Sequence, residues 1–218
     1  MSTDARTVFE SYETSTLTFD CYGTLVDWES GACKALRDIY GYSRSEVTDD
    51  GLIDLFLQAE ARVIREKLFP YSEVLERVAQ SVALQLGVRS SRALETSFAG
   101  SLPTWPVFEE TNPSLTWLAR RYRLAIISNV DDHLLSQTIN QLDVPFEVIV
   151  TSEQTMSYKP DGAIFDRAVR LIGERPSSII HIAEGRCEAT PARALGMRSN
   201  AQPNAVVSNL TQIVEAIW

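Results

Sequence analysis

Four short apolar runs, each ending in polar residues, constrain this chain more than any other feature. Thr16-Leu17-Thr18-Phe19 runs into Asp20, Leu124-Ala125-Ile126-Ile127 into Ser128-Asn129, and Glu147-Val148-Ile149-Val150 into Thr151-Ser152; Ser178-Ile179-Ile180-His181-Ile182-Ala183 runs into Glu184-Gly185. Nearly continuous apolarity over so few residues suits a strand buried on both faces, and helical stretches between such runs point to an α/β fold with a parallel sheet. Ligands of open parallel sheets collect beyond the carboxyl ends of the strands. The four ends should therefore bring Asp20, Ser128, Thr151, Ser152 and Glu184 to one place. A fifth, short strand is expected at 204–207, and apolar residues at 210, 213, 214 and 217 predict a closing helix.

The stretch from about 30 to 108 has a different period. Leu52, Phe56, Ala59 and Val63 recur at helical spacing, as do Leu75, Val78, Val82 and Leu86, and Pro103 and Pro106 mark the way out. No strand pattern interrupts them. The expected organisation is a core built from 1–29 and 110–218, interrupted after its first strand by an all-helical insert at 30–109. Leaving the chain at a strand end, such an insert would roof the site and exclude water.

Charge narrows the function. With 20 Lys+Arg against 29 Asp+Glu, the 218 residues carry a net charge of −9, which argues against nucleic-acid and anionic-membrane partners because phosphate needs a basic face. No apolar run approaches the roughly 20 residues of a membrane helix. The polar, acidic start has neither the basic nor the apolar region of a secretion signal, so Asn209-Leu210-Thr211 carries no weight as a glycosylation sequon. Three cysteines without a C-x-x-C pair suggest neither a disulfide framework nor a zinc knuckle. A cytoplasmic globular protein with a small-molecule partner is expected, with a homodimer left open.

Four segments then carry a resemblance. Phe19-Asp20-Cys21-Tyr22-Gly23-Thr24-Leu25-Val26-Asp27 resembles the nucleophile loop of the haloacid dehalogenase superfamily, and Ile127-Ser128-Asn129 its second motif. Tyr158-Lys159-Pro160-Asp161 resembles the lysine-bearing third motif, and the stretch from Ala183 through Glu184 and Glu188 to Met197 is similar to the fourth. Their order and spacing fit from about residue 16 to the end. The resemblance implies a Rossmann-like core with a helical cap. It also points to one branch. Phosphatases of the superfamily have a second aspartate two residues after the nucleophile, where this chain has Tyr22. Asp-x-Tyr-Gly-Thr-Leu is instead similar to the L-2-haloacid dehalogenase branch, which attacks carbon and needs neither metal nor cofactor.

By that resemblance Asp20 displaces halide at C2 and water hydrolyses the aspartyl ester. Lys159 supplies a compact positive charge beside Asp20, while Thr24, Ser128 and Asn129 are neutral donors for a substrate carboxylate or a departing anion. Tyr22, Phe56, Phe165, Glu184 and Glu188 complete the expected substrate contacts. Plainer roles exist for each: turn chemistry for Ser128-Asn129, capping or acidic surface for Glu184 and Glu188, cap core for Phe56, Phe69, Tyr71, Phe98 and Trp105. Cys21, Cys187, His133 and His181 are read as structural.

The chain also departs from the branch. An arginine early in the cap is replaced by Leu55 or Phe56, with Arg62 and Arg65 further on. A tyrosine six residues after the lysine is replaced by Phe165. Glu184 and Glu188 stand where a small or amide residue and an aspartate are usual. Three expectations follow: a hydrolase acting through Asp20, a repurposed non-hydrolytic enzyme such as an isomerase, lyase or cyclase, or a binding protein on the same scaffold.

Overall fold

The computed structural model describes residues 14–43, 46–183, 192, 194, 197–199 and 210–217. Strand β1 (Thr16–Phe19) is followed by helices α1 (Trp28–Tyr40), α2 (Asp49–Glu66), α3 (Tyr71–Gln85) and α4 (Arg92–Ser101). Then come α5 (Thr111–Leu118), β2 (Arg123–Ser128), α6 (Asp132–Thr138), β3 (Val148–Thr151), α7 (Ser152–Thr155) and α8 (Gly162–Ile172). The chain continues through β4 (Ile179–Ile182) and β5 (Arg198–Ser199) to α9 (Leu210–Ile217). It divides into two compact units: 1–26 with 107–129 and 140–218, and 27–106 with 130–139.

The first unit is built on a sheet of order β3-β2-β1-β4-β5, parallel throughout. The α/β class and the parallel sheet expected of the apolar runs are both found. Its fifth strand is Arg198–Ser199; the 204–207 segment expected in that role lies outside the described residues. β1 is central, with Phe19 in register with Ile126 on one side and Ile182 on the other. A central strand shows water neither face, and Thr16, Leu17, Thr18 and Phe19 are all at most 1% exposed. The polar atoms this buries find partners: the Thr18 hydroxyl shares a 2.9 Å hydrogen bond with Nδ1 of His181 on β4. Against β2 and β3 packs α8, whose Ile164, Phe165, Ala168 and Ile172 fall on one helical face and join Ala125, Ile127 and Val150 in one cluster. At the amino-terminal end of the strands Arg123 bridges Glu147 and Glu174, each at 2.7 Å.

The second unit is helical, with no strand between 27 and 106 among the described residues. Three of its helices are capped by their own preceding side chains. Asp27 accepts from the Ser30 N–H, Thr48 from Gly51 and Ser91 from Leu94. Helix α3 is the exception, since the residue before it is Pro70, with no side chain able to cap. An aromatic row forms the core of this unit: Trp28, Phe56, Phe98 and Trp105 lie with successive ring centroids 5.2, 6.4 and 6.1 Å apart. No helix among the described residues is long and apolar enough to cross a membrane.

Within α1, Gly31 is where Trp105 reaches the helix backbone. A Cβ there would stand 2.4 Å from Cγ and 2.5 Å from Cβ of Trp105. Helix propensity alone would favour Gly31→Ala by about 1 kcal/mol, but the clash requires the indole to move at about 1–3 kcal/mol. Gly31→Ala is therefore expected to lower stability to urea, and an increase would show that Trp105 yields freely.

Candidate active site

Asp20 is the first residue beyond the central strand, and its N–H continues the ladder by donating to the Ile182 carbonyl at 2.9 Å. The chain then turns back tightly. The Cys21 carbonyl accepts from the N–H groups of Leu25 (2.8 Å) and Val26 (3.0 Å), and the Gly23 N–H donates to Val26 (2.8 Å). Gly23 adopts φ 98°, a region that residues with a Cβ avoid. From α5 the Thr111 hydroxyl donates to the Leu25 carbonyl at 2.8 Å. The loop carrying Asp20 is thus tied at both ends.

Lys159 meets Asp20 across 139 residues of chain. Its ammonium donates to Asp20 Oδ1 at 2.6 Å and to the Ile127 carbonyl at 3.1 Å. The side chains are 3% and 14% exposed respectively, so the pair is shielded from the water that weakens surface ion pairs. Asn129 fixes the lysine backbone: its Oδ1 accepts from the Lys159 N–H at 2.7 Å, and its Nδ2 donates to the Lys159 carbonyl at 3.3 Å. Asp20, Lys159 and Asn129 therefore form one hydrogen-bonded group.

Among the described residues three buried hydroxyls lack a hydrogen-bond partner: Tyr42 Oη in the helical unit, Thr24 Oγ1 in the loop after β1, and Ser128 Oγ at the end of β2. Buried polar groups are nearly always paired, so two orphans on neighbouring strand ends mark where a ligand would supply the missing contacts. Tyr22 is half-buried in the same loop. Thr151 is engaged otherwise, its hydroxyl accepting from the Gln154 N–H at the start of α7.

The other expected contacts divide. Phe165 is fully buried in the cluster beneath the sheet, edge-on to His181 with centroids 5.1 Å apart. Packing accounts for it completely. Phe56, 2% exposed, is part of the aromatic row of the helical unit, and Arg62 and Arg65 are exposed on α2. Glu184, Glu188 and Cys187 lie outside the described residues. Among the described residues no group of three His, Cys, Asp or Glu side chains is arranged to hold a metal ion.

Comparison with known proteins agrees with the motifs. The model of the haloacid dehalogenase-like hydrolase family matches residues 14–196, and the chain belongs to that family of hydrolytic enzymes. It is 23% identical to an (S)-2-haloacid dehalogenase of Pseudomonas sp. (strain YL) over 185 residues, 83% of this chain and 78% of the relative. Two solved structures share the fold. The haloacid dehalogenase-like hydrolase YfnB of Bacillus subtilis, described as bound to magnesium, superposes with a TM-score of 0.78 at 16% identity, covering 94% of this chain and 99% of its own. The L-2-haloacid dehalogenase of Xanthobacter autotrophicus, described with chloropropionic acid covalently bound, gives 0.74 at 15% identity, covering 88% and 80%.

Sequence reasoning passed over Asp131, whose carboxylate accepts from the N–H groups of Tyr71 (2.6 Å) and Ser72 (2.8 Å) at the start of α3. Its trace in the sequence is indirect: a helix beginning after proline must find its cap elsewhere. Also missed was Glu60, which accepts from the Tyr71 hydroxyl at 2.7 Å and whose carboxyl burial pushes above the ordinary range, the hydrogen bond opposing.

Cys21 offers a pH test. Burial, reinforced by the Asp20 charge and opposed by Lys159, raises its thiol well above 9.0. The folded thiol then keeps its proton where the unfolded one loses it, so stability falls as pH rises through about 9. The stability difference between wild type and Cys21→Ala should shrink from pH 8 to pH 10. A constant difference would contradict the sign.

Proposed function

We propose that this chain is a 2-haloacid dehalogenase-type hydrolase in which Asp20 attacks a small organic acid or related electrophile. One observation carries the reading: the shielded Lys159–Asp20 pair at 2.6 Å, with the orphaned hydroxyls of Thr24 and Ser128 in the same strand-end region. A carboxylate is a modest nucleophile, and its use depends on being held, oriented and protected from bulk water. The covalently bound chloropropionic acid described for the Xanthobacter protein supports an ester-forming route. A carboxylate oxygen of Asp20 forms a bond to C2 as the bond to the leaving group breaks, and the leaving group departs with the electron pair. Water then adds to the carbonyl carbon of the aspartyl ester, releasing a 2-hydroxy product and restoring the carboxylate. Lys159 stabilises the carboxylate at both ends of the cycle. Thr24 and Ser128 donate to the substrate or to the departing anion. The setting proposed is cytoplasmic, with no nucleic-acid or membrane partner, in keeping with a net charge of −9.

The route uses no metal, because Tyr22 stands where a second acid would be needed. Magnesium prefers several hard oxygen ligands, and the magnesium described for the Bacillus neighbour makes the question open to experiment. Activity should survive exhaustive EDTA treatment. Loss restored by magnesium alone would move the chain toward metal-dependent chemistry.

A second reading, repurposing for a larger and less charged ligand, has its own support. Leu55 or Phe56 stands where the branch has a carboxylate-binding arginine, and Phe56 is packed between Trp28 and Phe98. A guanidinium fork is hard to replace, so 2-chloropropionate should be a poor substrate or none. Single turnover in H₂¹⁸O with enzyme in excess decides between the readings. Dehalogenase chemistry puts the label in the Asp20 carboxylate, Asp20→Asn abolishes turnover, and Lys159→Ala costs at least about 10²-fold. Label absent from Asp20, with substantial activity in Asp20→Asn, would establish the second reading instead.

A further inference from the structure

We propose that Asn129 is a positioning residue for Lys159, its side chain extending the sheet where the backbone ladder stops; this rests on the reading of Lys159 and Asp20 as the reacting pair. On sequence Asn129 is expected to face the substrate as a neutral donor. Its amide is instead turned onto the chain: Oδ1 accepts from the Lys159 N–H at 2.7 Å, while Nδ2 donates to the Lys159 carbonyl at 3.3 Å. This is the reciprocal exchange of N–H and C=O by which a strand residue holds the one opposite. The backbone ladder between β2 and β3 ends one residue earlier, at the Ser128–Thr151 pair. Asn129 and Lys159 both belong to the unit that carries the sheet.

Lys159 lies in the loop between α7 and α8, in no strand, and is followed by Pro160, which has no N–H to offer. Its ammonium must meet Asp20 Oδ1 at 2.6 Å and the Ile127 carbonyl at 3.1 Å together, at the tip of a flexible four-carbon stem. Such a stem aims its tip only when its root is held, and Asn129 holds the root. An amide suits the task because it carries a donor and an acceptor side by side. A carboxylate could accept from the Lys159 N–H but would face the Lys159 carbonyl with a second acceptor. The same unit uses the device once more, between residues that are no part of the Asp20 group. There Asn112 Nδ2 donates to the Gln141 carbonyl at 2.9 Å, and its Oδ1 accepts from the Asp143 N–H at 3.0 Å.

The chain has three lysines, Lys34, Lys67 and Lys159, so ¹⁵N-lysine labelling of the full chain gives three ammonium groups to follow by NMR. Lys34 and Lys67 are exposed, and their ammonium protons exchange fast with water. The Lys159 side chain is 3% exposed, so its protons exchange slowly, and Lys159→Arg assigns their signal. Asn129→Ala should speed exchange at the Lys159 ammonium at least about tenfold, the scale set by two lost hydrogen bonds. Asn112→Ala, which cuts the equivalent clamp elsewhere in the unit, should leave that rate unchanged and so separates aim from general stability. If Asn129→Ala does not fold, Asn129→Ser, with a side chain too short to span both groups, should give a smaller acceleration of the same sign. An unchanged Lys159 ammonium in a folded Asn129 variant, or an equal acceleration in Asn112→Ala, overturns the proposal. No substrate enters the measurement, so its outcome is separate from that of the hydrolytic reading.

Discussion

A carboxylate and an ammonium held together at the end of a buried strand set the terms for the rest of the first unit. Taking either charge out of water costs several kcal/mol, and the pair offsets this only if its remaining hydrogen-bonding capacity is met. The fold meets part of it by placing β1 between β2 and β4: the Asp20 backbone is anchored through its N–H to the Ile182 carbonyl, and the Lys159 ammonium donates to the Ile127 carbonyl as well as to Asp20. Removing one partner would leave the other buried and uncompensated, which typically costs about 3–5 kcal/mol. The pair is thus held by the sheet, and the loops on both sides are shaped to keep it there.

How much of this is legible in the sequence follows from the range of the interactions. A strand buried on both faces is largely apolar, with its few polar side chains paired internally as Thr18 and His181 are, so the four principal strands can be read directly, and polar residues mark their carboxyl ends. β5 has two residues and no pattern to read. The motif resemblance identified Asp20, Lys159 and Asn129, but nothing local in the sequence shows that the Asn129 side chain grips the backbone of residue 159. Phe165 is a different case. Its place six residues after the lysine suggested ligand contact, although its spacing with Ile164, Ala168 and Ile172 already described a core face. Asp131 escaped because an acid before a helix is ordinarily read as that helix's own cap.

The helical unit keeps its polar atoms in order by a similar economy of long-range contacts. Arg37 donates to Asp49 and to the carbonyls of Tyr42 and Val47, tying the end of α1 to the start of α2. Tyr71 donates from its hydroxyl to Glu60 while its amide is held by Asp131, so one residue at the head of α3 joins α2 to α6. A carboxyl raised by burial, as Glu60 is, favours the folded state most when protonated, and its contribution falls as pH rises through the unfolded value near 4.5. Connecting helices through such a group trades stability at neutral pH for a defined geometry.

The orphaned hydroxyls of Thr24 and Ser128 bear on ligand choice. A buried polar group without a partner costs about 1–3 kcal/mol, a standing loss that ligand contacts can reverse. Both groups are neutral, and hydrogen bonds from neutral donors are about half as strong as those from a cation. The one cation of the described group already serves Asp20. Among the described residues of this group, a ligand with a full negative charge would meet the negative end of the Lys159–Asp20 pair with neutral donors to hold it. A carbonyl or a polarised leaving group asks less: it needs donors, and develops its charge only as the reaction proceeds. On this balance the hydroxyls match the leaving group of the proposed displacement, whose charge appears only as its bond to carbon breaks.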